Sequence, residues 1–318
     1  MGNILLGYQT TIKEKIEFNG VGVHSGLPVC LTLLPCEANT GIVFNVTCPK
    51  TGKVEDIGAN FASIGATDLC TVLGNPREVY IATVEHLMAA LRALNVDNVI
   101  VEVDANEVPV MDGSSRVFVE AINSIGLTML AAQRCYIRVN KPVRVDMGAS
   151  WGEFIPFDGT RYEVEIDFDC DLIGRQSYKG NLSAESFHND LSGARTFGFM
   201  KDVERLWAAG FALGSSLENS VVIGDDNKII NQEGLRYKDE FVRHKTLDAI
   251  GDLALAGAPI LGCYRSYRGG HKLNSLVLKE LLADRSNYDF VESNVSQTRV
   301  SHSDLVAVSA PAFAASLI

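Results

Sequence analysis

His244, Asp248 and Asp252 stand at i, i+4 and i+8. At about 100° per residue a helix puts all three on one stripe roughly 80° wide, with Val242, Leu247, Ile250 and Leu253 covering the other side. A solvent-facing polar stripe has this spacing. So does a metal site, because a His and a carboxylate one turn apart can converge on one Zn²⁺, as two histidines do in His-Glu-x-x-His. His244 and Asp248 would then be ligands, with Asp252 behind them. Zinc needs a third protein ligand and, in a catalytic site, leaves the fourth position to water. His86 is the candidate, and Glu85 beside it could act as a general base from the same turn. A Glu-His pair at a helix start is equally a dipole-stabilising carboxylate next to a packed imidazole. His271 follows Arg268-Gly269-Gly270, and an imidazole pKa of about 6.5 suits proton transfer. His24 lies in a glycine-rich stretch, Gly20 to Gly26, that lacks the Gly-Lys-Ser/Thr of a phosphate loop and reads as a tight β-turn. His188 and His302 have no companions and read as surface residues.

These side chains need elements to position them. Short β-branched runs predict antiparallel strands over 10–17, 29–34, 41–46 and 71–73. Val84, Leu87, Met88, Leu91 and Leu94 then recur at helical spacing, predicting a helix over 83–95 with Thr83 as its N-cap. A buried strand over 98–103 and a helix over 115–125, closed by Gly126, complete the first half. The pattern restarts near residue 130 with strands over 136–145, 152–157, 162–168 and 260–264, and helices over 199–209, 239–255 and 273–283. Each half reads as α+β, which suggests a distant duplication. The division is 1–130, 131–295 and a C-terminal tail, 296–318.

Composition sets the class. The 318 residues are 47% hydrophobic and 21% charged, which excludes disorder, collagen-like repeats and coiled coil. Lys and Arg total 28 against 39 Asp and Glu, and the net charge of −11 argues against nucleic-acid binding through general basicity. The N-terminus falls short of the ~7–15-residue apolar core of a signal peptide, and no stretch approaches the roughly 20 apolar residues of a membrane span. A cytoplasmic protein is expected. The seven cysteines are scattered without a Cys-x-x-Cys pair, which predicts buried reduced thiols and disfavours a thiolate cluster.

Taken together, the motifs resemble those of one family, the zinc-dependent UDP-3-O-acyl-N-acetylglucosamine deacetylases of lipid A biosynthesis. The matching stretches begin at Gly20 (GVGVHSG), Thr83 (TVEHLMAAL), Glu107 (EVPVMDGS), Gly193 (GARTFG), Asp239 (DEFVRHKTLDAIGD) and Gly270 (GHKLN). They stand in family order over roughly residues 8 to 295. The long match around His244 is the most specific.

The resemblance implies two similar α+β domains packed as a layered sandwich, helices between two outer sheets, each domain with an insert. The second insert, about 196–212, would form an apolar passage for the substrate's acyl chain. His86, His244 and Asp248 would hold Zn²⁺, Glu85 would be the base, and protonated His271, oriented by Asp252, the acid, with Thr196 stabilising the oxyanion. Lys245 would contact substrate oxygens, Arg268 the diphosphate and Phe168 the uracil. Phe197 would line the passage, and Cys70 the pocket near the metal without ligating it. Lys272 and Ser275 depart from the family's common Ala and Asn at the pocket edge. The partner implied is an acylated UDP-sugar, with no nucleic acid and no spanning segment; the oligomeric state stays open. A zinc amidohydrolase of another acylated amine and a catalytically silent zinc-binding homologue are the alternatives. The silent one has no use for a base and an acid beside an open metal position.

Overall fold

The computed structural model describes residues 7–48 and 51–293. The tail expected over 296–318 and His302 lie outside these residues. The first half runs β1 (Tyr8–Ile12), β2 (Ile16–Val21), β3 (Pro28–Leu34), β4 (Ile42–Thr47), β5 (Val54–Gly58), β6 (Ile64–Ala66), β7 (Val72–Gly74), β8 (Tyr80–Ile81), α1 (Glu85–Ala93), β9 (Val99–Val103) and α2 (Arg116–Ile125). The second runs β10 (Leu127–Gln133), β11 (Cys135–Val139), β12 (Val143–Met147), β13 (Ser150–Ile155), β14 (Thr160–Asp167), β15 (Arg175–Asn181), the single turn α3 (Ala184–Ser186), β16 (Phe197–Phe199), α4 (Met200–Ala208), β17 (Val221–Ile223), α5 (Glu240–Ala254), β18 (Ile260–Tyr267), α6 (His271–Ala283) and β19 (Tyr288–Glu292). The fold is α+β.

Alternating side chains make the sheets. Ile42, Phe44 and Val46 of β4 and Tyr162, Val164 and Ile166 of β14 are buried, while the residues between them are half-buried. The first sheet has the order β2-β3-β9-β4-β5. In the second, β18 pairs antiparallel with β13 and parallel with β11 and β14, whose other edge carries β15. One continuous core joins Leu31, Phe44 and Val101 of the first sheet, through α1, α2, α5 and α6, to Phe154 and Tyr264 of the second. The helices therefore lie between the sheets. α5 packs on α1 at close range, because Gly251 has no side chain: a Cβ there would meet the Glu85 carbonyl oxygen at 2.0 Å.

Several expectations shift. The strand over 10–17 breaks into β1 and β2 at Lys13-Glu14-Lys15, three consecutive exposed charges that no pleated surface could half-bury. The strand over 136–145 breaks into β11 and β12 around Pro142, which lacks the N–H a ladder needs. Thr83 is not the cap of α1. It takes a left-handed backbone, φ 59°, and its hydroxyl donates to Glu107 Oε1 at 3.0 Å, while Val84 holds the N-cap position without a side-chain bond. The point near residue 130 falls inside β10, which pairs with β1. The apolar segment from residue 196 continues beyond 212 to β17, parallel to β16, as a β-α-β excursion.

Candidate functional site

Two groups of side chains meet where α1 crosses α5. Glu85 and His86 open α1, and His244, Asp248 and Asp252 face them from successive turns of α5. His271 begins α6, two residues earlier than its apolar periodicity predicted. All six are at most 8% exposed. The polar stripe of α5 thus points into the protein rather than to solvent.

The first group is His86, His244 and Asp248. Asp248 Oδ1 lies 3.6 Å from His86 Nε2 and 3.4 Å from His244 Nε2. Among the described residues this oxygen is buried without a hydrogen-bond partner. Donors around a tetrahedral Zn²⁺, each about 2.0–2.1 Å from the ion, sit about 3.3 Å apart. The spacing and the unsatisfied oxygen therefore fit a metal ion. The Ala194 carbonyl can only accept, so His244 Nδ1 donates to it at 3.1 Å and Nε2 keeps its lone pair on the Asp248 side. Burial pushes His244 down to about 3, which keeps the ring neutral, as a ligand must be. Burial opposes charge on Asp248, yet His244 and Lys245 outweigh it and hold the carboxyl well below the usual range. Lys245 donates to Asp248 Oδ2 at 2.9 Å.

The second group is Glu85, His271 and Asp252. His271 Nδ1 lies 2.9 Å from Asp252 Oδ2, and its Nε2 lies 3.8 Å from Glu85 Oε1 and 4.0 Å from Asp248 Oδ2. Burial lowers the His271 pKa, but the Asp252 and Glu85 carboxylates outweigh it and lift it to about 9. Burial raises Glu85, against the pull of His271 and His86. One carboxyl with raised proton affinity and one imidazolium thus sit side by side, next to a metal-shaped donor set.

A cavity of about 390 Å³ opens on both groups. Of the expected site residues, Glu85, His86, Phe168, Thr196, Phe197, His244, Lys245, Asp248 and His271 line it. Phe199, Val203 and Leu206 of the β16-α4 segment extend the lining into an apolar arm. Asp252 stands behind His271. Two residues lie elsewhere. Cys70 lines a neighbouring cavity of about 620 Å³ with Tyr80 and Phe211, and burial lifts its thiol to about 12, so it is no nucleophile at neutral pH. Arg268 lies outside the lining, donating to the Asp167 carbonyl at 3.0 Å.

Other residues build the site without having been singled out in the sequence. Thr71 donates its N–H to Glu85 Oε2 at 3.1 Å and its hydroxyl to Asp252 Oδ1 at 2.5 Å, and Asn274 donates to Asp252 Oδ2 at 2.8 Å. Asn274 stands three residues after His271 on α6, so the i, i+3 spacing was the available signal, whereas Thr71 lies in the loop before β7, where no spacing rule points to it. His24, read as part of a turn, lines both cavities. Its loop is pinned by the buried Glu107 carboxylate, which accepts the N–H groups of His24 and Ser25 at 2.8 and 2.9 Å. A Cβ at Gly22 would strike that carboxylate at 2.2 Å, and the glycine density of the stretch was the available signal.

The family model for UDP-3-O-acyl N-acetylglycosamine deacetylase matches residues 9–283. The chain is similar to proteins named UDP-3-O-acyl-N-acetylglucosamine deacetylase from Brucella ovis and from Brucella abortus strain 2308, 58% identical over 286 residues, covering 90% of this chain and 99% of each relative. The protein of that name from Brucella melitensis biotype 2 is 57% identical over the same coverage.

Proposed function

Because the chain belongs to the UDP-3-O-acyl N-acetylglycosamine deacetylase family, we propose that its buried cluster carries out that family's hydrolysis through the residues assigned below. The enzyme removes the N-acetyl group of UDP-3-O-acyl-N-acetylglucosamine, releasing acetate and UDP-3-O-acyl-glucosamine, a step of lipid A biosynthesis.

His86, His244 and Asp248 hold the metal, Zn²⁺ in this reading. When bound, the ion supplies Lewis acidity, polarising the acetamide carbonyl and lowering the pKa of a water. Glu85 takes the proton of the attacking water, its carboxylate steadied by the Thr71 N–H. The Thr196 hydroxyl, on the cavity wall, donates to the oxyanion as it forms. His271 gives its proton to the departing amine, and Asp252 holds its ring and favours its charged form. Lys245 binds substrate oxygens at the rim. Phe197, Phe199, Val203 and Leu206 receive the acyl chain, and Phe168 offers an aromatic face beside them. Arg268 contributes to diphosphate binding from outside the lining.

The observation that supports this most is the adjacency of the two groups, with a carboxyl base and an imidazolium acid 3.8 Å apart beside the donor set. A metal site with a purely structural role would have no use for them. We place the reaction in the cytoplasm: all seven cysteines are free, and no described helix is long and apolar enough to cross a membrane. The test is acetate release from UDP-3-O-acyl-N-acetylglucosamine by metal-stripped protein before and after one equivalent of Zn²⁺. Zinc-restored release supports the reading. Folded, zinc-loaded protein that releases no acetate overturns it.

A further inference from the structure

The base on α1 and the acid on α6 both lean on one residue of neither helix. Thr71 lies just before β7. Its N–H donates to Glu85 Oε2 at 3.1 Å and its carbonyl accepts the Val84 N–H at 3.4 Å, so its backbone is fixed to the start of α1. Its hydroxyl reaches the other way, to α5, and donates to Asp252 Oδ1 at 2.5 Å, a length typical of a charge-assisted bond. Thr71 is buried and β-branched, so that hydroxyl has few rotamers to choose from. The other oxygen of the same carboxylate is held by α6 alone. Asp252 Oδ2 accepts from Asn274 Nδ2 at 2.8 Å and from His271 Nδ1 at 2.9 Å, since a carboxylate can only accept. Among the described residues the Thr71 hydroxyl makes the one hydrogen bond to Oδ1. With it, the carboxylate is gripped at both oxygens and cannot turn about its Cβ–Cγ bond. Without it, Asp252 would pivot on Oδ2, and the imidazole that shares Oδ2 would move with it.

We propose that Thr71 is a positioning residue for the proton donor: its hydroxyl fixes the Asp252 carboxylate, and through it the His271 ring, relative to Glu85. This role presupposes the proton transfers assigned above to Glu85 and His271. Two steps at one substrate, a proton taken from water and a proton given to the amine, need both groups aligned on the same reacting atoms, and misplacement of about 1 Å can cost on the order of 10²-fold in rate. His271 Nε2 stands 3.8 Å from Glu85 Oε1. Thr71 bonds to the Glu85 carboxylate directly and to the His271 ring through Asp252, and so ties the acid on α6 to the base on α1.

Thr71→Val keeps the shape and both backbone bonds and removes only the hydroxyl donor. Steady-state acetate release from UDP-3-O-acyl-N-acetylglucosamine by full-length, zinc-loaded wild type, Thr71→Val and Thr71→Ser tests the role. Thr71→Val should lose ~10-fold or more in kcat with KM and zinc content unchanged, because the alignment of the acid is lost while substrate and metal contacts lie elsewhere. Thr71→Ser restores the hydroxyl and should recover most of that loss. A hydroxyl that acts through Asp252 has nothing to hold once the carboxylate is gone, so adding Thr71→Val to Asp252→Ala should change kcat by less than about 2-fold. If Thr71→Val does not fold, Thr71→Ala takes its place in the comparison with Thr71→Ser. Wild-type kcat in Thr71→Val, a loss confined to KM or to zinc content, no recovery with serine, or an undiminished loss in the Asp252→Ala background would each overturn the positioning role while leaving the hydrolysis in place. Wild type that releases no acetate would overturn the hydrolysis itself, and this role with it.

Discussion

Glu85 and Asp248 have different roles, although both are buried carboxyls lining the same cavity, one on each of two facing helices. Glu85 bonds to the Thr71 N–H and faces His271, and it is not among the three donors around the unsatisfied oxygen of Asp248. Glu85→Ala should therefore keep its metal while turnover falls ~10²-fold or more, the usual loss of a general base. Metal content and kcat measured on the same sample decide this, and a variant that keeps most of its activity assigns the base elsewhere. Asp248→Ala removes a donor, so metal affinity itself should drop. Titration against a competing chelator reports it, and unchanged affinity would strike Asp248 from the ligand set. The residue types and the i, i+4 spacing of His244 and Asp248 were legible in the sequence. The direction they face was not, since a polar stripe reads the same toward solvent or toward a second helix.

At the scale of elements, the site depends on how closely α1 and α5 approach. Gly251 sets that distance, with backbone rather than a flexible side chain in the way of any Cβ. Gly251→Ala should cost about 3 kcal/mol of stability, at the upper end of overpacking penalties, because neither helix can yield locally. Urea denaturation measures it, and kcat should fall together with stability as Glu85 and His86 are displaced from His244. A variant of wild-type stability would show that the helices can part at no cost. Periodicity located both helices to within a residue or two. It misassigned Thr83 as a cap, because Glu107, distant in sequence, claims the Thr83 hydroxyl and holds its backbone left-handed.

Across the whole molecule, the two halves are joined by more than the helices. Arg236 donates to Asp112 Oδ2 at 2.7 Å and to the Gly193 carbonyl at 3.1 Å, linking the segment before α2 to the segment before α5. Burial raises the Asp112 pKa, but bonds from Ser114 and Arg236 outweigh it, and the net shift is downward. A carboxyl whose folded pKa is depressed adds stability that is complete above its unfolded value, about 3.9, and is lost as pH falls through the folded one. Wild type should thus lose stability more steeply than Asp112→Asn below about pH 4 in denaturation curves taken at successive pH values. Parallel curves would remove Asp112 from the acid response. Metal binding adds a second global term, since an ion that binds only the folded chain raises Tm with concentration. Stripped protein should melt lower, recover with Zn²⁺, and show no recovery as Asp248→Ala.

Sequence alone determined the α+β class, the approximate helices and the residue types for metal, base and acid chemistry, because periodicity and ligand spacing are local properties of the chain. Zinc's need for a third ligand made His86 a candidate partner of His244, 158 residues on, and the resemblance strengthened that pairing, but no local spacing could bring the two together. Tertiary structure decided that these residues meet, that Thr71 and Asn274 hold the Asp252 carboxylate, and that Cys70 and Arg268 stand outside the main cavity. Each of those depends on packing between elements distant in sequence, and burial, hydrogen-bond partnership and cavity shape exist only once the sheets have closed over the helices.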